Sequence, residues 1–180
     1  MYKMIKIVNL ITLSRILLAP IIFVFLMLDN YLLCLLLFTF AGITDYFDGY
    51  LARKYNAESQ LGEILDPIAD KILVIFILFG LSVQLHSFLV AFFGSLILTR
   101  EIGVAALRDY SSRNGLSDRT KVTFLAKVKT AIQIITLTLY LLALSLEFSL
   151  MIVISDILLI MASIITLYTG YQYAINIFKK

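Results

Sequence analysis

Four aspartates carry the clearest chemical signal in this sequence. They form the pattern Asp45-x-x-Asp48-Gly49-x-x-Ala52-Arg53, followed after eight residues by Gly62-x-x-x-Asp66-x-x-x-Asp70. In a helix over 44–54, steps of three, four and seven residues place both aspartates, the glycine and the alanine on one face. Steps of four stack the second set along the next helix. Because glycine and alanine have almost no side chain, the pattern leaves room for a bulky ligand beside the carboxylates.

Four carboxylates in an apolar sequence need a balancing charge. A charged side chain at the centre of a bilayer costs about 2.5 to 3.5 kcal/mol, so four would cost on the order of 10 kcal/mol. Arg53 and Lys71 lie nearby in the sequence but supply only two charges, whereas two divalent cations would balance all four acids. Cys34 and His86, the single cysteine and the single histidine, lie elsewhere, which favours Mg²⁺ or Mn²⁺ over zinc. A hard cation with oxygen ligands indicates phosphate chemistry.

Two other classes of function stay open on this evidence. Paired aspartates in membrane helices often form the ion or proton path of a transporter. A structural or lipid-binding scaffold is disfavoured, because unpaired acids are costly when nothing is bound. Asp156, an isolated acid in the last apolar segment, is expected to hydrogen-bond to a neighbouring serine or threonine.

The segments that hold these residues are strongly apolar. The 180 residues are 61% hydrophobic and 15% charged, with a mean hydropathy of +0.98, which is outside the range of soluble domains. The sequence therefore predicts an all-α, polytopic membrane protein with one domain over residues 1–180. The first apolar segment has no small-residue cleavage site and is expected to be retained as a span.

Hydrophobic periodicity predicts six transmembrane helices of about 20 residues, which fits the thickness of a bilayer. A short basic helix over 1–10 is expected to lie in the membrane interface before the first span. The start of the third span is left open: it begins at Gly62 and bends, or it begins at Pro67 with Asp66 as its cap. The predicted spans are 11–28, 31–55, 62–85, 88–109, 123–146 and 148–177.

Basic residues are distributed asymmetrically along this topology. With six spans, all 15 lysines and arginines lie toward the side of the N-terminus, whereas the turns on the other side carry Asp29, Gln84, His86 and Glu147. The positive-inside rule therefore places both termini and the aspartates in the cytoplasm. Since His86 lies on the opposite side, a histidine-based site at the aspartates is excluded.

The pattern from Asp45 to Asp70 resembles, at every specified position, the signature of the CDP-alcohol phosphatidyltransferase family. The resemblance implies a six-helix membrane enzyme, usually a homodimer, in which an alcohol attacks the lipid-bearing phosphorus of CDP-diacylglycerol and CMP is released. It implies two divalent ions, Mg²⁺ or Mn²⁺, held by Asp45, Asp48, Asp66 and Asp70. Asp70 would also take the proton of the acceptor hydroxyl. The residues that would surround the cytidine diphosphate are Gly49, Ala52, Arg53 and Gly62.

Four basic residues bear on the identity of the acceptor. Arg100 and Arg108 lie eight positions apart on one predicted helix, and Lys127 and Lys129 enter the membrane on the same side. Four cations facing the aspartates would suit an acceptor that already carries a phosphate. The alternative is that they determine topology and anchor lipid headgroups.

Further blocks are similar to one branch of the family, the bacterial phosphatidylglycerophosphate synthases. They cover 9–15, 99–108 and 127–133, with Ala126 where the branch usually has glycine. This similarity implies that the four basic residues hold the phosphate of glycerol 3-phosphate, in phosphatidylglycerol and cardiolipin synthesis at the bacterial inner membrane, with the active site facing the cytoplasm. Serine, inositol phosphate and phosphatidylglycerol are the alternative acceptors, and no nucleic-acid partner is expected. Further contacts to the donor or metal are expected from Asn9, Thr12, Arg15 and Thr44. For Asn9, Thr12 and Arg15 the alternative is that they only begin a helix.

Overall fold

The computed structural model describes residues 2–55, 59–115 and 124–178. These residues contain six helices and no strand, so the predicted all-α class is confirmed. The helices are α1 (Tyr2–Met27), α2 (Tyr31–Tyr55), α3 (Gln60–Gln84), α4 (Phe88–Arg113), α5 (Phe124–Ser145) and α6 (Ser149–Phe178).

The helices form a closed ring that is bridged across its middle. Around the ring, α1 contacts α2, followed by α5, α6, α4 and α3, which returns to α1. Helices α3 and α5 also contact each other across the ring, though less extensively. The bundle therefore consists of two four-helix groups that share α3 and α5, and among the described helices α6 contacts only α4 and α5.

The apolar core fills the part of the bundle away from the chain ends. Its fully buried members include Ile22 and Leu26 of α1, Ile77 and Leu81 of α3. A Cβ atom built on Gly80 would lie 2.6 Å from Cδ2 of Leu26. A side chain at position 80 would therefore require the buried Leu26 side chain or one of the two helices to shift.

Three tight turns of the same type join the helices in pairs. Asp29, His86 and Glu147 each have a positive φ, of 58°, 47° and 53°. In each turn the next residue donates its N–H to a carbonyl five positions earlier, a Schellman arrangement that closes a helix end. These bonds join Asn30 to Phe25, Ser87 to Ser82 and Phe148 to Ala143. The aspartates, the start of α1 and the end of α6 lie at the opposite end of the bundle.

Within the described residues, four helices are long and apolar enough to cross a membrane, namely α1 from Asn9, α4, α5 from Lys127, and α6. The apolar part of α2, Tyr31–Phe47, is shorter. The two helices outside this set, α2 and α3, are the ones that carry the four aspartates. Large apolar side chains such as Leu17, Phe40 and Ile157 point outward along the bundle, as expected for a surface that faces lipid.

The structure corrects one prediction about a helix start and decides between the two alternatives for another. The separate interfacial helix over 1–10 is wrong, because α1 runs without a break from Tyr2 to Met27. Residues 2–19 contain no glycine or proline that would end a first helix. Helix α3 begins at Gln60, where the Ser59 side chain accepts a hydrogen bond from the Gly62 N–H at 2.9 Å. Asp66 is therefore not a cap, and Pro67 lies inside the helix.

The turn geometry predicts that His86→Gly stabilises the protein. A non-glycine residue with left-handed backbone costs roughly 1 kcal/mol, which glycine would largely remove. Glu147→Gly should behave in the same way. Asp29→Gly should gain less, because the Asp29 carboxylate accepts hydrogen bonds from Tyr31 Oη at 2.6 Å and Gln84 Nε2 at 2.5 Å. Thermal unfolding in detergent checks this, and equal gains at all three turns would contradict it.

Candidate active site

A buried arginine lies at the centre of the aspartates. Arg15 of α1 is 1% exposed, and its Nη1 contacts Asp45 of α2 and donates a hydrogen bond to Asp70 of α3 at 2.8 Å. Its Nη2 lies 3.6 Å from Oδ1 of Asp66. One guanidinium thus joins carboxylates from two other helices, and a buried charge of this kind is stable only when it is paired.

The face of α1 that carries Arg15 follows the start of α3. One turn earlier, the Thr12 hydroxyl donates to Oδ1 of Asp66 at 2.8 Å. One further turn earlier, Asn9 accepts a hydrogen bond from the Ser59 hydroxyl at 2.8 Å. A Cβ atom on Gly62 would lie 3.2 Å from Oδ1 of Asn9, so any side chain there would press on this contact. The steps of three in the sequence thus place all three α1 residues against the aspartate helix.

For the remaining residues predicted to surround the donor, the structure describes fewer contacts. Gly49 is half-buried in α2. The Thr44 hydroxyl donates to the carbonyl of Ala41 at 2.8 Å in its own helix, which is the usual way for a helical threonine to satisfy its hydroxyl. The side chains of Asp48, Ala52 and Arg53 lie outside the part of the chain that the structure describes, so the predictions for these residues stay predictions.

A cavity of about 1050 Å³ extends from the aspartates between α1, α2, α3, α4 and α5. Its α2 and α3 walls include apolar residues such as Phe38, Ile43 and Leu73. The charged residues that line it among the described positions are five basic and three acidic: Arg15, Lys71, Arg100, Arg108, Lys129, Asp45, Asp70 and Glu101. The excess of positive charge and the adjoining apolar walls suit an anionic ligand with a lipid part.

Three of the four residues of the predicted basic cluster lie together in the structure. Arg100, Arg108 and Lys129 line the cavity, whereas Lys127 is exposed and does not. Lys129 is buried and forms an ion pair with Glu101, which also accepts a hydrogen bond from Nη1 of Arg100 at 3.2 Å. Lys71, considered from the sequence only as a counter-charge, lines the same cavity.

Sequence reasoning missed several of these contacts. Arg15 was expected to touch the donor or metal but was not recognised as the counter-charge of the aspartates. The signal was available, because an arginine in the middle of an apolar helix has to pair with an acid. Glu101 was given no role. The expectation for Asp156 was wrong, since its partner is the buried Tyr140 of α5, whose hydroxyl donates at 2.5 Å. A tyrosine one helix away reaches the carboxylate.

The carboxylates at Arg15 are the donor type that hard divalent cations prefer. In the described part of the chain, which leaves out the Asp48 side chain, no three acidic, histidine or cysteine side chains are already close enough to hold an ion. The donor set nevertheless fits such an ion, because three carboxylates reach a single guanidinium and α2 carries a fourth.

The sequence matches the CDP-alcohol phosphatidyltransferase family over residues 5–174. The chain belongs to this family. The match spans every residue that lines the cavity, so the aspartate and basic halves of the site both lie within it.

Curated relatives of the family cover much or nearly all of this chain. A Rickettsia typhi protein is 37% identical over 173 residues, 92% of this chain and 93% of its own. A Pectobacterium atrosepticum protein is 36% identical over 136 residues, 72% of each chain. A Blochmanniella floridana protein is 39% identical over 130 residues, 71% of this chain and 68% of its own. All three are named CDP-diacylglycerol–glycerol-3-phosphate 3-phosphatidyltransferase.

The aspartate cluster predicts that Arg15→Met destabilises the protein. Removing one partner of a buried ion pair costs about 3 kcal/mol, at the lower end of the usual range because the three carboxylates are about half exposed. Unfolding in detergent without divalent cations measures the loss. The double variant Arg15→Met with Asp45→Asn should recover part of it, because one of the unpaired charges is then gone.

Arg113→Met is the matched control for this prediction. Arg113 also pairs with an aspartate, Asp109, but both side chains are exposed, and such a pair contributes roughly 0.5 kcal/mol or less. Equal stability losses for Arg15→Met and Arg113→Met would contradict a central role for Arg15.

Proposed function

We propose that this chain transfers the phosphatidyl group of CDP-diacylglycerol to glycerol 3-phosphate, giving phosphatidylglycerophosphate and CMP. The observation that carries the proposal is a single cavity with carboxylates of α2 and α3 on one side and basic residues of α4 and α5 on the other. The reaction requires both a nucleotide diphosphate and a phosphorylated acceptor in one place. The names of the relatives agree with this pairing of substrates.

In this proposal the aspartates and the small residues bind the donor. Asp45, Asp48, Asp66 and Asp70 would hold two divalent cations, Mg²⁺ or Mn²⁺. Ions bound there would neutralise the charge of the diphosphate and the charge that develops on the leaving CMP. The donor contacts from the first three helices are assigned to Asn9, Thr12, Thr44, Gly49, Ala52, Arg53 and Gly62. The apolar walls of the cavity, including Phe38 and Ile43, suit the acyl chains.

The reaction itself exchanges one P–O bond for another. A hydroxyl oxygen of glycerol 3-phosphate bonds to the lipid-bearing phosphorus, and the bond from that phosphorus to the CMP oxygen breaks with its electron pair. Asp70 takes the proton of the hydroxyl. Its side chain is 59% exposed and held by Nη1 of Arg15, so it is accessible and fixed in direction. A carboxylate is a weak base for an alcohol, and positioning has to supply much of the rate enhancement.

The acceptor phosphate is assigned to the basic side of the cavity. Arg108 is exposed there, Lys129 and Arg100 line the wall, and Lys71 adds a positive charge to the same cavity. Lys127 was included from the sequence, but its exposed position outside the cavity lining makes it a weaker candidate. Serine would give these cations no phosphate to bind, which favours glycerol 3-phosphate over it as acceptor.

A cation transporter is less well supported. A conduction path needs carboxylates that exchange ions freely, whereas Arg15 already neutralises part of the charge at three of them. The basic residues on the far side of the same cavity would also repel a cation.

We further propose six membrane spans with both termini in the cytoplasm of a bacterium and with the active site at that face of the inner membrane. The support is the distribution of lysines and arginines along the sequence, since none lies within thirteen positions of the three turn residues Asp29, His86 and Glu147. A single domain over residues 1–180, acting as a homodimer, completes the proposal, and the dimer rests on the family resemblance.

The function is tested by CMP release from the purified protein with CDP-diacylglycerol and Mg²⁺. Glycerol 3-phosphate, serine, inositol phosphate and phosphatidylglycerol are supplied in separate reactions. We expect release with glycerol 3-phosphate alone, lost in Asp70→Asn and after chelation of the divalent cations. Release with another acceptor would keep the family and reject the assignment of the basic side, and ion movement in vesicles without nucleotide would favour the transporter.

Arg108→Glu should weaken the acceptor selectively. Replacing a charge-assisted contact by repulsion raises the KM for glycerol 3-phosphate about 100-fold, while the KM for CDP-diacylglycerol stays within about twofold because the donor binds at the other side. Arg113→Glu is the control, since Arg113 lies on the same helix but outside the cavity lining. Parallel changes in both KM values for Arg108→Glu would show that this residue does not select the acceptor.

A further inference from the structure

Helix α6 does not line the cavity in the described part of the chain, yet it holds two arginines that do. We propose that Thr169, Gly170 and Tyr173 of α6 are positioning residues that fix Arg100 and Arg108 for the acceptor phosphate. The inference rests on the proposed function. It identifies α6 as the helix that sets the affinity for glycerol 3-phosphate.

Gly170 provides the space in which the Arg100 side chain lies. A Cβ atom built on Gly170 would be 2.8 Å from Cγ and 3.2 Å from Nε of Arg100. The clash involves Cγ, close to the base of the arginine side chain, so it cannot be relieved by moving the guanidinium tip alone. Any larger residue at position 170 therefore requires the Arg100 side chain to move from its present position, or α6 to shift away from it.

Thr169 fixes one end of the Arg100 guanidinium. Its hydroxyl accepts a hydrogen bond from Nη2 of Arg100 at 2.9 Å and donates its own proton to the carbonyl of Thr166 at 2.9 Å. A hydroxyl has a single proton, so this second bond turns the lone pairs of Thr169 toward the arginine. Each terminal nitrogen of Arg100 carries two N–H groups, and these two bonds to Thr169 and Glu101 use one on each.

Tyr173 connects the two arginines. Its hydroxyl accepts from Nη2 of Arg108 at 3.1 Å, and its ring centroid lies 5.2 Å from Cζ of Arg108 and 5.9 Å from Cζ of Arg100. The aromatic ring stabilises both cations, which would otherwise repel each other. The ring is almost fully buried, so its position is determined by packing rather than by the arginines.

Together these contacts organise the site before the acceptor arrives. Arg100 and Arg108 are eight residues apart on α4, which corresponds to about 12 Å along the helix axis, and both reach the same tyrosine of α6. Fixing two flexible side chains in advance lowers the entropy cost of binding the phosphate. Loss of this frame should therefore raise the KM for glycerol 3-phosphate and leave donor binding unchanged.

The first test compares Gly170→Ala with Gly103→Ala. Both replace a helical glycine, but a Cβ atom on Gly103 would meet nothing within 4 Å. Alanine is favoured over glycine in a helix, so a kinetic loss in Gly170→Ala cannot be attributed to weaker helix formation. We expect the KM for glycerol 3-phosphate to rise about tenfold in Gly170→Ala, with both KM values within about twofold of wild type in Gly103→Ala.

The second test separates the two contributions of Tyr173. Tyr173→Phe keeps the ring and loses the hydroxyl, and should raise the KM for glycerol 3-phosphate about threefold, whereas Tyr173→Leu removes both and should raise it about tenfold. The thermal shift caused by glycerol 3-phosphate, measured without CDP-diacylglycerol, should decrease in the same order. A merely structural role would instead lower the stability of both variants and leave the thermal shift caused by glycerol 3-phosphate as large as in the wild type.

The outcomes distinguish this inference from the function on which it rests. If the wild type releases CMP with glycerol 3-phosphate but Gly170→Ala and Tyr173→Leu keep its KM, the role of α6 is overturned and the proposed function stands. If the wild type releases no CMP with glycerol 3-phosphate, both are overturned. A selective rise in the acceptor KM in both variants supports both.

Discussion

The polar end of this bundle depends on one buried positive charge. Arg15 comes from α1, and the carboxylates it meets come from α2 and α3. The ion pairs therefore connect three helices, and they offset the repulsion between the acids of α2 and α3. The carboxylates remain about half exposed. Any cation that binds there has to share them with the guanidinium or displace it, so ion binding is coupled to the packing of α1.

The helix arrangement explains how opposite charges can face one cavity. Because α3 and α5 belong to both four-helix groups but touch only lightly, space opens between them. The acids enter it from α2 and α3, and the basic residues enter mainly from α4 and α5. Helix α6 packs behind the basic wall and holds it in place through Thr169 and Tyr173.

Much of the fold and part of the site could be predicted from local patterns. Hydrophobic periodicity predicted the six helices. The spacing of Asp45, Asp66 and Asp70 indicated carboxylates that lie close together, and they meet at Arg15 because α1 packs against both α2 and α3. Contacts between distant segments were not predictable, since periodicity identifies a face but not what it faces. Asp45 lies 30 positions from Arg15, Lys129 lies 28 positions from Glu101, and Arg108 lies 65 positions from Tyr173.

The three matching turns bear on how such a chain can enter a bilayer. Each closes a pair of antiparallel helices, so each pair can insert as a unit with only a tight turn crossing to the far side. At least fourteen positions separate every lysine and arginine from the turn residues Asp29, His86 and Glu147. With the six spans proposed above, translocation would therefore carry no lysine or arginine, and the three turns with a positive φ would lie in the part of the chain that makes the crossing.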